Sequence, residues 1–521
     1  MVHLDIEFNE HFQKALNLME NTGDNIFITG KAGTGKSTLL NYFRNTTKKK
    51  VVVLAPTGVA ALNVNGQTIH SFFRFKPDIT VDSVQKFRGA LSDLCKAVDT
   101  IIIDEISMVR ADLLDCVDRC MRLNGKKSNK PFGGTQMIFF GDLYQLAPVV
   151  TTNEREILKG NYKTPYFFDS ASFQQLNVAL LELEKIYRQK DQRFIEILNA
   201  IRNNTVTEKE LDEINVRVDQ TFEPKNDDFY IILTPTNAKA LSVNERNLGK
   251  PKTRLITFNG TIRGQFDMKQ LPTEVNLKVK VGSQVMLVNN DSGGRWVNGS
   301  VGVITGIEEN KNSKDKYLIS VKLADGHVVN VGKNNWEMFR FAYNADTKSL
   351  ESETIGTFTQ YPLKLAWAIT IHKSQGKTFD RVVVDMDKGT FAHGQAYVAL
   401  SRCTSLNGLI LKTPVKKKHI LMDWRVVKFL TNFQYGLSNK KQSVEEKIEL
   451  IKKAIERGIK LEITYLKSND QKSKRIVVPK NIGTQEYMGK EFIGLNAYCC
   501  LRSEDRVFRV DRILDIVEVN P

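Results

Sequence analysis

The sequence is poor in what a membrane-spanning or secreted protein would need. No apolar run among its 521 residues approaches the roughly 18 required to cross a membrane; Val51–Ala55 is typical of the longest. The opening Met1–Glu7 has neither the basic nor the apolar region of a secretory signal, so a cytoplasmic, prokaryotic-type protein is expected. Cysteine is scarce: six residues, no Cys-x-x-Cys pair and no histidine at zinc-finger spacing. Cys116 and Cys120 share a helical face, but two ligands do not hold a metal, and both read as buried thiols in a reducing compartment. Internal repeats and long low-complexity tracts are absent, and the composition excludes a collagenous or largely disordered chain. Acidic residues are in deficit, 59 against 75 Lys plus Arg, giving a net charge of +16. That excess points to a polyanionic partner, or serves solubility alone.

What is present suffices for several cores: 41% of residues are hydrophobic, and the length suggests three or four domains. From about 25 to 150, β-rich runs (Ile26–Thr29, Val51–Leu54, Thr100–Ile103, Met137–Phe140) alternate with helical stretches. Continuous β-branched runs suit buried parallel strands, so this part reads as an α/β domain. A second α/β segment is expected from near Val178, with runs at Tyr230–Thr234 and Arg381–Val384. Between 268 and 355 the runs shorten and alternate between Gly, Asn and Asp, which predicts an all-β insertion. The polar stretch Gly436–Gln442 reads as a linker. After it, Ser443 and Glu446 have capping-box spacing, Gly458 is a helix stop, and Ile459–Tyr465 alternates as a strand should.

The chemistry is carried by three loops. Gly30-Lys-Ala-Gly33-Thr34-Gly35-Lys36-Ser37 fits the phosphate-binding G-x-x-x-x-G-K-[ST] pattern and lies between a strand and the helical Thr38–Phe43. Its backbone N–H groups would close around phosphate oxygens, Lys36 would reach the β and γ phosphates, and Ser37 would ligate Mg²⁺. Ile101-Ile-Ile-Asp104-Glu105 ends a buried strand in two carboxylates. Asp104 would hold Mg²⁺ through water and Glu105 would polarise the attacking water. Gly141-Asp142-Leu-Tyr-Gln145 follows the next strand, where Gln145 would orient water or sense the γ phosphate; the alternative is an ordinary loop.

These motifs, with Ala55-Pro-Thr-Gly-Val-Ala-Ala61, Tyr187-Arg188-Gln189, Thr370-Ile-His-Lys-Ser-Gln375-Gly376 and Gly394-Gln-Ala-Tyr-Val-Ala-Leu-Ser-Arg402, fall in one order. Over residues 8 to 425 the chain resembles the petite integration frequency (PIF) DNA helicases, in the RecD-like branch of superfamily one. Ser107–Arg122 resembles that family's signature segment, and Ala147 departs from its usual proline. The resemblance implies two RecA-like P-loop lobes of α/β class. They would occupy 1–168, with a wedge near 74–80, and 169–267 plus 356–430, with an SH3-like β insertion at 268–355. It further implies ATP and Mg²⁺ dependence and 5′-to-3′ movement on single-stranded DNA, with forked or tailed duplexes as substrates. No membrane partner is expected, and the chain reads as a monomer. Residue by residue, the resemblance has Gln13 read adenine, adds Gly30, Gly33, Thr34, Gly35 and Thr38 to the nucleotide site, and brings Gly376 near the γ phosphate. Arg188 and Arg402 become arginine fingers.

On the DNA side the resemblance points to Pro56, Thr57, Gly58, Val59, His70, Ser71 and Phe72 in the first lobe. In the second it points to Thr234, Thr236, Asn237, His372, Lys373 and Ser374. Backbone, hydroxyl and aromatic groups of this kind hold a strand without reading sequence. Burial of Phe72 or Phe73 and a structural role for His372 remain alternatives. After a linker at 431–442, residues 443–521 resemble a WYL domain, although the Trp-Tyr-Leu triplet is replaced by Phe492-Ile-Gly. Such a domain binds nucleic acid or nucleotide-like ligands or regulates its neighbour. Tyr465, Arg475, Tyr498, Arg502, Arg506 and Arg509 would form an anion pocket, or an ion-paired β surface. Three functional readings stand: a helicase, a DNA-stimulated translocase that unwinds little, and an ATP-switched nucleic-acid-binding regulator.

Overall fold

Strands of the first lobe form where the apolar runs predict them, in one parallel sheet. They are β1 (Asn25–Gly30), β2 (Val51–Ala55), β3 (Gln67–Thr68), β4 (Thr100–Ile103), β5 (Gln136–Phe140) and β6 (Val178–Leu183), ordered β3-β2-β4-β5-β1-β6. The computed structural model describes residues 8–519 except 151, 267, 269, 270, 310–316, 345, 348 and 387–391, so Met1–Glu7 lies outside the described residues. Helices Glu10–Asn21 and Lys36–Thr46 cover one face, burying Phe12, Met19, Leu39, Leu40 and Phe43 against Ile26, Ile28 and Ile138. β6 corrects the expected boundary at 169: it pairs with β1 along its whole length, and Leu181 and Leu183 pack in the first core.

The second lobe is built on β7 (Ile231–Thr234), with its remaining strands arriving after a long excursion. That excursion is all-β, as expected, and antiparallel, but wider than 268–355. It opens with β8 (Ile256–Asn259), β9 (Thr261–Gly264), β10 (Asn276–Val279) and β11 (Gln284–Leu287). β12 (Val301–Glu309), β13 (Tyr317–Leu323), β14 (Val328–Val331), β15 (Asn334–Asn344), β16 (Ser349–Gln360) and β17 (Leu363–Leu365) follow. Phe258 and Leu277 join the same core as Val285, Ile304 and Val321, which is why the module reaches beyond its expected ends. Its long β15–β16 hairpin meets the first lobe: Gln67 Nε2 donates to Phe339 O at 2.6 Å and Phe341 packs edge-on against Phe72. The second sheet is then completed by β18 (Ala368–Thr370), β19 (Val382–Val384) and β20 (Leu409–Leu411), in the parallel order β18-β7-β19-β20.

The chain divides into two units, meeting at Leu421 and Met422. The second holds an antiparallel sheet ordered β24-β23-β22-β21-β25, from β21 (Lys460–Leu466), β22 (Lys472–Tyr487), β23 (Lys490–Cys499), β24 (Glu504–Arg509) and β25 (Ile513–Val519). The helix Val444–Arg457 starts at the Ser443–Glu446 capping box, stops at Gly458 (φ 66°), and buries Ile451 and Ala454 on the sheet. The expected linker at 431–442 is not one. The helix Trp424–Lys441 runs through it, because Val426, Leu430, Gln434 and Ser438 fall on one buried stripe. Ser438 Oγ donates to Leu514 O at 2.6 Å, fixing its last turns to β25. Among the described residues, no helix is long and apolar enough to cross a membrane.

Candidate active site

The loop after β1 turns into the helix Lys36–Thr46 through Gly33 (φ +84°) and Gly35 (φ +85°). A side chain at Gly33 would have its Cβ 2.5 Å from Arg188 Cβ, so only glycine lets the two segments meet. Lys36 is drawn back onto this loop, donating to Gly30 O at 2.7 Å and Lys31 O at 3.0 Å, and burial lowers its pKa. Thr34 Oγ1 donates to Lys31 O at 2.9 Å and braces the turn.

A cavity of about 520 Å³ opens here between the lobes. Gly33 to Thr38 form one wall; Glu105 and Gln145 stand at the strand ends; Arg188, Gly376, Thr378 and Arg402 face them. Arg402 is fully buried and meets only neutral acceptors: Val398 O, Ser374 O, Lys377 O and Ser401 Oγ, at 3.0 to 3.4 Å. Burial first, and then the charge of Arg188, hold its pKa down at about 9. Burial likewise lowers Arg188 to about 10, and its guanidinium donates to Thr378 Oγ1 at 2.8 Å and Ser401 O at 3.3 Å. One buried and one half-buried guanidinium, with no carboxylate partner among the described residues and opposite a phosphate-binding loop, are poised for an anion.

Asp104 and Glu105 supply the opposite charge. Burial pushes both carboxyls up, and Glu105 pushes Asp104 further, while Lys36 pulls both down. Glu105 takes a left-handed backbone (φ 50°), which for a non-glycine residue costs on the order of 1–3 kcal/mol. Its Oε2 accepts from Gln375 Nε2 at 3.0 Å. Among the described residues, no group of three or more His, Cys, Asp or Glu is set to hold a metal. Ser37 lines the cavity and buried Asp104 lies where Lys36 pulls its pKa down; oxygen donors of this kind suit Mg²⁺, an ion that takes few protein ligands and completes its shell with phosphate and water.

Sequence reasoning missed several members. Phe12 and Tyr187 line the cavity, whereas Gln13 does not: it is exposed and donates to Phe8 O at 3.1 Å. The hydrophobic spacing of the first helix was the available signal for Phe12. Tyr397 OH accepts from the loop amide of Ala32 at 3.0 Å, tying the lobes together. Arg202, at the end of the helix Gln192–Arg202, donates from Nη2 to Asp142 Oδ1 at 3.2 Å, and Gln145 Nε2 donates to Asp142 Oδ2 at 3.2 Å.

Comparison with known proteins decides what this cleft belongs to. Residues 3–212 match the model of the PIF1-like helicase family, and residues 446–518 match the WYL domain. The chain is 32% identical over 441 residues to the ATP-dependent DNA helicase Pif1 of Bdellovibrio bacteriovorus, covering 82% of this chain and 93% of that one. The chain belongs to the PIF1-like family of ATP-dependent DNA helicases. Its fold agrees. The crystal structure of Bacteroides sp. Pif1 in complex with ADP-AlF4 superposes with a TM-score of 0.75 at 37% identity, covering 82% of this chain and 98% of that one. The Bacteroides Pif1 bound to single-stranded DNA superposes at 0.59, with the same identity, covering 82% and 96%.

The residues expected on the DNA side of the two lobes are brought together only in part. Pro56, Thr57, Gly58 and Val59 form the strand-end turn after β2, and Val59 is exposed. Thr236 and Asn237 form the corresponding turn after β7, and Lys373 is exposed beside half-buried His372, whose pKa burial lowers. His70 and Ser71 are half-buried. Phe72, Thr234 and Ser374 are corrections. All three side chains are buried, Phe72 between Phe73 and Phe341, Thr234 at the sheet end and Ser374 against Ile371 O. The stretch 74–80 is a loop after the helix Ile69–Phe73.

The expected anion pocket of the WYL domain is not formed. Successive residues of a strand face opposite ways, so Tyr498 points out where Cys499 points into the core. Arg475 goes inward with Cys499, its Nη1 donating to Sγ at 3.5 Å and its Nε to Ser473 Oγ at 3.1 Å. Tyr465 packs on Phe508; Arg506 pairs with Glu504 and Arg509 with Asp511; Arg502 is exposed in a turn. The ion-paired surface is the reading the structure supports.

Proposed function

We propose that this chain uses ATP and Mg²⁺ to move 5′ to 3′ along single-stranded DNA and to separate tailed or forked duplexes. The observation that carries the reading is the cleft in which the first lobe's phosphate loop faces buried Arg402 and half-buried Arg188, both bonded to the second lobe. Lys36 and the loop amides bind the β and γ phosphates. Ser37 and, through water, Asp104 would hold Mg²⁺, which would supply positive charge to the phosphates when bound. Glu105 takes the proton of the attacking water, and Gln145 orients that water. Arg402 and Arg188 stabilise the transferring phosphoryl group once the lobes close. Because the arginines and the phosphate loop belong to different lobes, ATP favours closure and hydrolysis relaxes it, so the turns at Pro56–Val59 and Thr236–Asn237 approach and separate along the strand. Six free cysteines fit a reducing, cytoplasmic setting.

Two partial duplexes, one with a 5′ tail and one with a 3′ tail, test this directly. Unwinding from the 5′ tail alone is expected. Unwinding of neither, with ATPase still stimulated by single strands, would replace the helicase reading with a translocase.

A further inference from the structure

Asp142 is wholly buried in the loop after β5, and both oxygens of its carboxylate are in use. Oδ1 accepts from the Tyr144 amide at 3.1 Å and from Arg202 Nη2 at 3.2 Å, and Oδ2 accepts from Gln145 Nε2 at 3.2 Å. The last of these contacts sets a direction. An ionised carboxylate only accepts, so it can hold a glutamine amide by the nitrogen alone. Gln145 therefore turns its Nε2 toward Asp142 and keeps its Oε1 for the nucleotide cleft that the side chain lines. A water that attacks phosphorus must give up a proton and needs an acceptor. In this pose Gln145 offers it a carbonyl oxygen rather than an N–H.

The cation that anchors Asp142 comes from the other lobe. Arg202 ends the helix Gln192–Arg202, whose Phe194, Ile197 and Ile201 pack in the second lobe's core with Leu233 and Val398. Its almost wholly buried guanidinium lies between the carboxylate and the Tyr144 ring, 4.0 Å from the ring centre. The electrostatics of this pair reach the phosphate loop: burial lowers the Lys36 pKa, Asp142 and Glu105 oppose that, and Arg188 and Arg202 add to it. A buried ion pair adds little stability over two apolar side chains of the same volume. Here the pair fixes the direction of a cleft glutamine, and it exists only while the lobes meet.

We propose that Arg202 is a positioning residue for ATP hydrolysis: on lobe closure it docks on Asp142, and Asp142 then presents the Gln145 oxygen to the attacking water. This rests on the helicase reading and deepens it, because it names how closure is converted into an ordered water site. Arg202 is not among the described residues lining the cleft, so it acts through Asp142 and Gln145 and not on the phosphates, which Arg188 and Arg402 face. When the lobes part, the guanidinium leaves with its helix and the water site loses its order. Hydrolysis is thereby confined to the closed state.

The test removes the pair without stranding a charge. In the double variant Arg202→Met with Asp142→Asn, the amide introduced at position 142 both donates and accepts, so Gln145 is no longer held by its nitrogen alone. ATPase is followed across ATP concentrations at saturating oligo-dT, binding of a fluorescent mant-ATPγS reports affinity, and urea unfolding checks the fold. The double variant is expected to bind the nucleotide as wild type does and to lose about 10²-fold in kcat, as a catalytic group displaced by about 1 Å does. Gln145→Ala, made alone and in the double variant, closes a cycle: alone it is expected to lower kcat, and in the double variant to lower it no further. Arg202→Lys, which keeps the charge but not the planar fork, carries the same cycle should the double variant unfold. A stable double variant that turns over like wild type overturns the proposal and leaves a structural ion pair. Losses that add across the cycle also overturn it, since Arg202 then acts by a route other than Gln145. Equal kcat in wild type and Gln145→Ala overturns the role given to that glutamine, and a wild type without ATPase overturns the helicase reading itself.

Discussion

Arg202 Nη2 and Asp142 Oδ1 meet at 3.2 Å across the cleft between the lobes, both side chains almost wholly buried. The guanidinium also stacks on Tyr144 at 4.0 Å, and the second Asp142 oxygen holds Gln145. A lone charge left in such a place is costly, so Arg202→Met should destabilise the first unit by about 3–5 kcal/mol. Arg202→Met with Asp142→Asn should recover most of that loss, since no charge is then stranded. Urea unfolding of wild type and the two variants measures it; a single mutant within about 0.5 kcal/mol of wild type would contradict the geometry.

Lys36→Ala removes the ammonium from the phosphate loop without touching the turn at Pro56–Val59. Phosphate release should vanish while oligo-dT binding by anisotropy stays near wild type. Equal ATPase in mutant and parent would overturn the site.

Arg402 donates only to neutral acceptors, so removing it strands no carboxylate. Arg402→Ala should therefore fold, bind ATP with KM little changed, and lose about 10³–10⁵ in kcat, the usual range for an arginine finger. A rise in KM at constant kcat would assign it to ground-state binding instead.

Gly394 (φ +73°) starts the helix Gln395–Leu400, and a Cβ there would lie 2.3 Å from Gln145 O and 2.5 Å from Tyr144 O. Those contacts are backbone and cannot yield. Gly394→Ala should hold the second lobe off the Gln145 loop, raising KM for ATP and lowering kcat together, which steady-state kinetics will register.

Local features were legible in the sequence. The phosphate loop, the acidic pair after β4 and the Ser443 cap each depend on a few adjacent residues, and each is where its pattern puts it. Relationships between distant segments were less so. β6 looks like the start of a second domain until its pairing with β1 is known. Gly436–Gln442 reads as a linker because its composition is polar, yet a helix needs only one apolar stripe, and Gln434 and Ser438 complete that stripe with polar atoms bonded to Asp470 and to Leu514 O. Arg202 resembles an ordinary basic residue in a helix's last turn. Arg475 misled in the other direction: its charge suggested a surface, and its strand parity put it inside.

The strand order β3-β2-β4-β5-β1-β6 fixes a distance as well as a topology. β2 carries the turn at Pro56–Val59 and β4 carries Asp104 and Glu105; they are immediate neighbours, and the Asp104 amide donates to Leu54 O at 2.8 Å. Neighbouring strands run about 4.8 Å apart. On the proposed reading, fuel and track thus sit one strand spacing from each other on a single rigid edge, so the motor requires no long lever in its first lobe.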